Sequence, residues 1–119
     1  MRFEDLDVWK RAARLSTAVY QQLTNCRDFG FKDQITRSAL SVASNIAEGY
    51  ERDSNRDRIK FLNYAKGSIG ELRTQIYIGM EVGFIDPETG RGWVEETQEL
   101  SRMIYSLMKT LREPTDPPR

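Results

Sequence analysis

The part of the chain that most constrains its fold runs from Ser44 to Ile76 and reads SNIAEGYERDSNRDRIKFLNYAKGSIGELRTQI. Apolar residues recur in it at alternating spacings of three and four, which is the period of an amphipathic helix. A short charged segment, ERDSN, divides the stretch, and small residues are frequent on both sides of it. This pattern predicts two helices that pack closely against each other across a short connection.

The same periodicity predicts four helices. The first three cover about residues 6–25, 31–50 and 55–82. The fourth ends at about residue 111, and Gly90 and Gly92 leave its start open. The positions predicted to face the core in helices two to four are Ile35, Ala39, Val42, Ile46, Gly49, Leu62, Ala65, Ile69, Leu72, Ile76, Gly79, Trp93, Thr97, Leu100, Ile104, Leu107 and Leu111. Helix one has two adjacent stripes: Leu6, Trp9, Ala13, Ser16, Tyr20 and Leu23, and beside them Val8, Ala12, Leu15 and Val19. A face this wide predicts contact with more than one neighbour. The predicted fold class is all-α, an antiparallel up-down-up-down four-helix bundle.

Local signals mark the ends of these helices. Asp5 is a predicted N-cap of helix one, and Ser54 followed by Asp57 fits the capping box of helix three. Gly83 is a predicted C-cap, and Asp86-Pro87 is a predicted N-cap followed by proline at the first helical position. We therefore expect one bundle over residues 1–112 and a disordered tail, EPTDPPR, over residues 113–119.

Composition excludes several classes of protein. The 119 residues carry 18 basic and 18 acidic side chains, which gives no global attraction to nucleic acid or anionic membrane. With no histidine and one cysteine, the chain lacks Ser-His-Asp and Cys-His catalytic sets, the Glu-x-x-His motifs of di-iron bundles and an intrachain disulfide. It has no signal peptide or apolar run of membrane-spanning length, so we expect a cytoplasmic protein without cofactor, metal site or catalytic residues.

Polar side chains accompany the apolar seam of the two central helices. Asn45 and Glu48 precede the charged connection, and Ser68 and Glu71 follow it. They are interpreted as hydrogen-bonding across the helix pair, within one subunit or between subunits, and fixing its register. On this interpretation Glu71→Ala costs a few kcal/mol. The alternative is a polar groove that binds a ligand, although two carboxylates without histidine suit transition metals poorly.

Small residues are concentrated in the same two helices. They are predicted to let the helices approach closely, which would offset the roughly 1 kcal/mol that each glycine costs a helix. This set comprises Ala39, Ala43, Ala47, Gly49, Ala65, Gly67 and Gly70.

Basic residues form two groups, one in the connection between helices two and three and one on helix one. The first comprises Arg52, Arg56, Arg58 and Lys60, and the second comprises Lys10, Arg11 and Arg14. Most such groups are solvated faces; the alternative is a nucleic-acid contact whose strength comes from repetition in an oligomer. Trp9 and Trp93 are predicted anchors of the core or an interface, and Cys26 is read as incidental.

Three blocks in order resemble one protein family. FEDLDVWKRA at residues 3–12 resembles F-x-x-L-x-V-W-x-x-A, and QITRSALSVASNIAEGYER at residues 34–52 is similar to Q-x-x-R-A-x-x-S-x-x-x-N-I-A-E-G. FLNYAKGSIGEL at residues 61–72 is similar to F-L-x-x-A-x-G-S-x-x-E-L. These are motifs of the four-helix-bundle family of 23S rRNA intervening-sequence proteins. Ser38 and the segment TGRG depart from the family pattern.

The resemblance implies a small antiparallel four-helix bundle that assembles into a homopentamer, with no established enzymatic activity. It also implies kinship with the accessory protein of diversity-generating retroelements, whose basic pentamer binds nucleic acid and a reverse transcriptase. We therefore expect a non-enzymatic homo-oligomeric scaffold or adaptor whose partners are other copies of itself, with another protein as an alternative partner. The alternative is an RNA- or DNA-binding accessory protein that uses the basic connection between helices two and three.

Overall fold

The computed structural model describes residues 2–112, which form four long helices after a short 3-10 turn at Phe3–Asp5. The helices are α1 (Asp7–Gln22), α2 (Phe29–Tyr50), α3 (Asn55–Glu81) and α4 (Pro87–Arg112). Residues 2–112 contain no strand. The predicted all-α four-helix fold is confirmed, whereas the predicted tail at 113–119 lies outside the described residues.

The four helices surround one core. α1 packs on α2 and α4, and α3 packs on the same two helices, so that α1 and α3 occupy diagonal corners. The predicted seams of α2 and α3 are buried throughout, from Ile35 to Gly49 and from Leu62 to Gly79. Burying each such aliphatic side chain contributes about 1.5–3 kcal/mol, so these two seams supply much of the stability of the bundle.

The two stripes of α1 have different surroundings. Val8, Ala12, Leu15 and Val19 face the core, with at most 6% of each residue exposed. The stripe beside it is only partly covered, and Tyr20 remains 46% exposed. The wide apolar face is therefore present, and the bundle buries its first stripe completely and its second stripe only in part.

Hydrogen bonds from backbone N–H groups confirm most of the predicted helix ends. Ser54 Oγ accepts a hydrogen bond from the Asp57 N–H at 3.1 Å, and Asp86 Oδ2 accepts from the N–H groups of residues 88 and 89 at 3.1 Å. Gly83 has φ +85° and follows the C-cap, where the N–H of residue 84 bonds the Gly79 carbonyl at 2.8 Å. Both ends of the α3–α4 connection are thus fixed by local chemistry.

Three predicted boundaries were wrong. α1 ends at Gln22, three residues before its predicted end. Asp5 belongs to the 3-10 turn, and Leu6 is the N-cap of α1 without a side-chain cap. α2 begins two residues before its predicted start, at Phe29, because Asp28 Oδ1 accepts a hydrogen bond from the Phe31 N–H at 3.0 Å. The N-cap aspartate overrides the helix-breaking tendency of the neighbouring Gly30.

The start of α4 is settled by close packing on α3. Gly90 is buried, and a Cβ at this position would overlap the Met80 side chain. Gly92, by contrast, lies in the same helix with nothing within 4 Å of an added Cβ. The first turns of α4 can therefore pack on α3 only because residue 90 has no side chain.

Candidate functional site

The polar contact between α2 and α3 is made by hydroxyl groups. Ser41 Oγ lies 2.9 Å from Ser68 Oγ, and the Asn45 amide donates to the Ser41 carbonyl at 2.9 Å and to its hydroxyl at 3.0 Å. Ser68 is buried, with 7% of its surface exposed. Ser68 therefore makes a polar contact across the helix pair, whereas Asn45 donates to Ser41 of its own helix. The sequence pattern did not single out Ser41 as the partner of Ser68.

The two carboxylates do not take part in that contact. Glu48 is exposed and pairs with Arg52 on its own helix, at 3.0 Å. Glu71 is exposed, and it has no ion pair within residues 2–112. Within one subunit, the expected carboxylate bonds across α2 and α3 are therefore absent, and the serine hydroxyls hold the register instead.

Only part of the small-residue set lies where α2 meets α3. Gly49 does, since a Cβ there would lie 3.1 Å from the Cβ of Phe61 and 3.3 Å from the Arg58 carbonyl oxygen. Gly67 and Gly70 are exposed, with nothing within 4 Å of an added Cβ. The prediction was wrong for these two glycines, because they lie on the solvent-facing side of α3. Of the alanines in the set, Ala39, Ala43 and Ala65 are buried and Ala47 is half-buried.

The cations of the α2–α3 connection are largely engaged with neighbours. The Arg52 guanidinium lies 4.7 Å from the centre of the Phe61 ring, in addition to its ion pair. Arg58 donates to Asn55 Oδ1 at 3.2 Å and lies 5.8 Å from the Tyr50 ring centre. Burial raises the pKa of Tyr50, and the positive charge of Arg58 opposes that rise. Two of these cations therefore have structural contacts that stabilise the connection.

The other two cations of the connection, Arg56 and Lys60, have fewer contacts within the subunit. Arg56 is exposed and makes no ion pair among residues 2–112, and the Lys60 ammonium is 5.9 Å from the Phe61 ring centre. Because the helices alternate in direction, this connection lies at the same end of the bundle as the start of α1. The Asn55 amide confirms the placement by donating to the Leu111 carbonyl at the end of α4, at 3.3 Å.

The basic residues of α1 separate into two groups. Lys10 and Arg14 are exposed as predicted. Arg11 instead turns toward α4, where its Nε and a terminal nitrogen donate to the two oxygens of Glu96 at 2.9 and 2.6 Å. The hydrogen bonds from Arg11 lower the pKa of Glu96 despite its partial burial, and Glu96 raises the pKa of Arg11. The prediction that Arg11 shares the exposed face was wrong, because this forked ion pair holds it between α1 and α4.

An apolar groove of about 450 Å³ runs between α1 and α2 on the outside of the bundle. We call it the α1–α2 groove, and its lining includes Trp9, Ala13, Tyr20, Leu40, Ser44 and Ala47. Trp9 is half-buried there and packs edge-on against Phe3, with ring centres 5.2 Å apart. Leu40 is 49% exposed. Trp9 therefore stands at an open surface, whereas Trp93 is in the core with 8% exposure.

Residues 2–112 hold no group of three or more histidine, cysteine or acidic side chains that could bind a metal ion. Cys26 is half-buried at the end of α1, with Sγ 3.8 Å from the Asp28 carbonyl oxygen. No helix within that range is long and apolar enough to cross a membrane. The fold and this surface define the class as a small antiparallel four-helix bundle with an apolar groove on its outside.

Residues 4–106 match the sequence profile of the family described as 23S rRNA-intervening sequence protein. The match covers most of the chain, and the chain therefore belongs to this family. It is also similar to a crystal structure of a protein with unknown function from the S23 ribosomal protein family of Bacteroides thetaiotaomicron. The two share 24% sequence identity and a TM-score of 0.80, over 86% of this chain and 98% of that chain, which shows a common fold. No curated protein matches the chain.

Proposed function

We propose that this protein is a non-enzymatic homo-oligomeric bundle that acts as a scaffold or adaptor. The observation that carries the proposal is the α1–α2 groove, at which Trp9 and Ala13 of α1 are only half-buried and Tyr20 and Leu40 are exposed in the single subunit. Exposed apolar patches of this kind mark interaction surfaces in soluble proteins. The family resemblance adds the expected number of subunits, which is five.

Further large apolar side chains lie on the outside of the bundle. Tyr64, Tyr77, Ile78 and Tyr105 are each at least 50% exposed. Burying several such rings in a subunit interface would contribute more than any surface ion pair of this chain. The distribution supports assembly through more than one face of the bundle.

Assembly is tested by light scattering after size exclusion, across about a hundredfold range of concentration. A scaffold of several subunits predicts a mass several times 13.8 kDa that persists on dilution and at high salt, because apolar burial is insensitive to salt. A mass of 13.8 kDa at every concentration would contradict the proposal.

A nucleic-acid-binding accessory protein is the second candidate function. It is supported by the antiparallel topology, which brings Lys10 near the end of the bundle that carries Arg56 and Lys60, with Arg14 about one turn further along α1. Asp53 and Asp57 offset part of this charge within the connection itself. Repetition around an oligomer would multiply the remaining attraction.

Fluorescence anisotropy with a structured RNA and a DNA duplex, between about 50 and 200 mM salt, tests this second function. Binding through these cations predicts an affinity that falls steeply with salt and is weakened by Arg56→Ala combined with Lys60→Ala. The matched control is Arg27→Ala combined with Arg91→Ala, which removes two exposed cations from the opposite end. Unchanged anisotropy at every salt concentration would rule out this function and leave protein partners.

A further inference from the structure

We propose that the α1–α2 groove of one subunit receives the outer side of α3 from a second copy of this chain. This inference rests on the proposed homo-oligomer and identifies the two surfaces that meet. The second surface, called the α3 outer face, consists of Tyr64, Gly67, Gly70, Glu71, Thr74 and Ile78, all of which are exposed. The interface is thus formed by two different surfaces.

The first argument concerns the two exposed glycines. Gly67 and Gly70 lie in the interior of a long helix, where glycine is among the least favourable residues, and no atom of residues 2–112 would lie within 4 Å of a Cβ added at either. Gly49, Gly79 and Gly90, by contrast, each have a close neighbour that explains the missing side chain. Exposed helical glycines make sense where the backbone of another helix comes close.

The second argument is complementary shape. The α1–α2 groove is lined by small side chains along its length, among them Ala13, Ser16, Ala43 and Ala47. A helix with a smooth glycine surface can enter such a groove more deeply than one with long side chains. Tyr64 and Ile78, each 50% exposed, stand at either end of the glycine pair and supply apolar area for contact with the groove.

The lengths of the two surfaces also agree. At 1.5 Å per residue, the groove from Trp9 to Tyr20 extends about 17 Å along α1. The α3 outer face from Tyr64 to Ile78 extends about 21 Å. The α3 outer face is therefore long enough to fill the groove from end to end.

The third argument is charge. Lys10 and Arg14 line a second depression on α1, which adjoins the groove because Trp9, Ala13 and Thr17 line both. Glu71 lies at the middle of the α3 outer face. None of Lys10, Arg14 and Glu71 has an ion pair within residues 2–112. Docking would bring a basic surface against an acidic centre and would favour this pairing over groove against groove.

Two different surfaces on one subunit give a head-to-tail contact. Such contacts leave a free groove at one end of a growing assembly and a free α3 outer face at the other, and they terminate only when a ring closes. A symmetric dimer would need the groove and the α3 outer face to lie on one self-complementary patch, whereas α1 and α3 occupy diagonal corners of the bundle. The inference therefore predicts a closed ring rather than a dimer.

The test uses two full-length variants that each block one surface. Leu40→Glu places a charge in the groove at a residue that is already half-exposed, and Gly67→Gln adds a side chain where a single subunit has free space. Each variant alone is expected to have the 13.8-kDa mass of one chain in light scattering. Mixed in equal amounts, they are expected to form a dimer, because one intact groove then meets one intact α3 outer face.

Controls keep the outcomes distinct. Gly92→Gln adds the same side chain to another exposed helical glycine, and Phe29→Glu removes another exposed apolar residue of α2; both are expected to assemble like the wild type. Circular dichroism verifies folding, and Ser44→Arg is a second groove variant at an exposed position. A monomeric wild type would contradict the proposed homo-oligomer itself. An oligomeric wild type with unaffected variants, or monomeric variants that fail to pair on mixing, would overturn only the pairing proposed for these two surfaces.

Discussion

The hydroxyl groups of Ser41 and Ser68 make the polar contact between α2 and α3, and Asn45 supports it from one turn away. Neutral hydroxyls lose far less free energy on leaving water than carboxylates do, so a partly buried serine pair fixes the register of the two helices at low cost. Glu71 is exposed, and Glu71→Ala is therefore not expected to cost the few kcal/mol that a buried carboxylate would.

A fully buried hydroxyl joins α3 to α4. Thr97 Oγ1 donates to the Val94 carbonyl at 2.6 Å and accepts from Arg73 Nε at 3.0 Å, with none of the residue exposed. Thr97→Val keeps the shape but leaves the guanidinium without this acceptor, so we expect the free energy of unfolding to fall by about 1 kcal/mol. Urea denaturation measures this loss of stability, with Thr110→Val, at an exposed residue, as the control. If the two variants are equally stable, the hydrogen bonds of Thr97 do not stabilise the α3–α4 contact.

The ion pair between Arg11 and Glu96 predicts a pH dependence. Because the folded state lowers the pKa of Glu96, its contribution is complete above the unfolded-state pKa of about 4.3 and is lost as pH falls through the lower folded-state value. Glu96→Gln should therefore reduce the unfolding free energy by about 1 kcal/mol at pH 7 and by progressively less below pH 4. Denaturant titrations at several pH values measure this difference.

The control for that series is Glu99→Gln, which removes an exposed partner of Arg102 on the same helix. Exposed pairs contribute little, so this substitution should be nearly neutral at every pH. A stability loss for Glu96→Gln that does not change with pH would show that packing, rather than charge, is what the substitution removes.

At the scale of the elements, helix ends were predictable because their signals are local. Ser54 and Asp86 bond N–H groups two or three residues away, and Gly83 provides the left-handed turn after α3. The orientation of glycines was not predictable in the same way. Glycine has no side chain to show by hydropathy which face it occupies, so Gly67 and Gly70 were assigned to the wrong side of α3.

Two glycine substitutions with opposite expected effects on the unfolding free energy test whether Gly67 and Gly83 have these different surroundings. In the Leu40→Glu background, where subunits are expected to remain separate, Gly67→Ala should raise the unfolding free energy by up to about 1 kcal/mol, since it removes only backbone freedom. Gly83→Ala should lower it by about 1–2 kcal/mol, because residue 83 has φ +85°. Thermal or urea unfolding measures both, and destabilisation by Gly67→Ala would show that residue 67 is not free in the subunit.

At the scale of the whole molecule, the antiparallel bundle followed from four periodic segments and short connections. The double stripe of α1 indicated more than one neighbour, and the folded subunit supplies two, α2 and α4, while the α1–α2 groove stays open on the outside. Which groups remain uncovered could not be read from the sequence, because an apolar residue at a core and one at an interface have the same hydropathy. The uncovered groove and the bare side of α3 emerge only when the helices are placed together.

The most direct test of the proposed assembly is native mass spectrometry of the full chain, at low micromolar concentration and in volatile buffer. A homopentamer predicts a dominant species of five times 13.8 kDa, and the proposed head-to-tail contact predicts no stable dimer of the wild type. A spectrum with only the 13.8-kDa chain would contradict the homo-oligomeric scaffold, and a dominant dimer would contradict the closed ring.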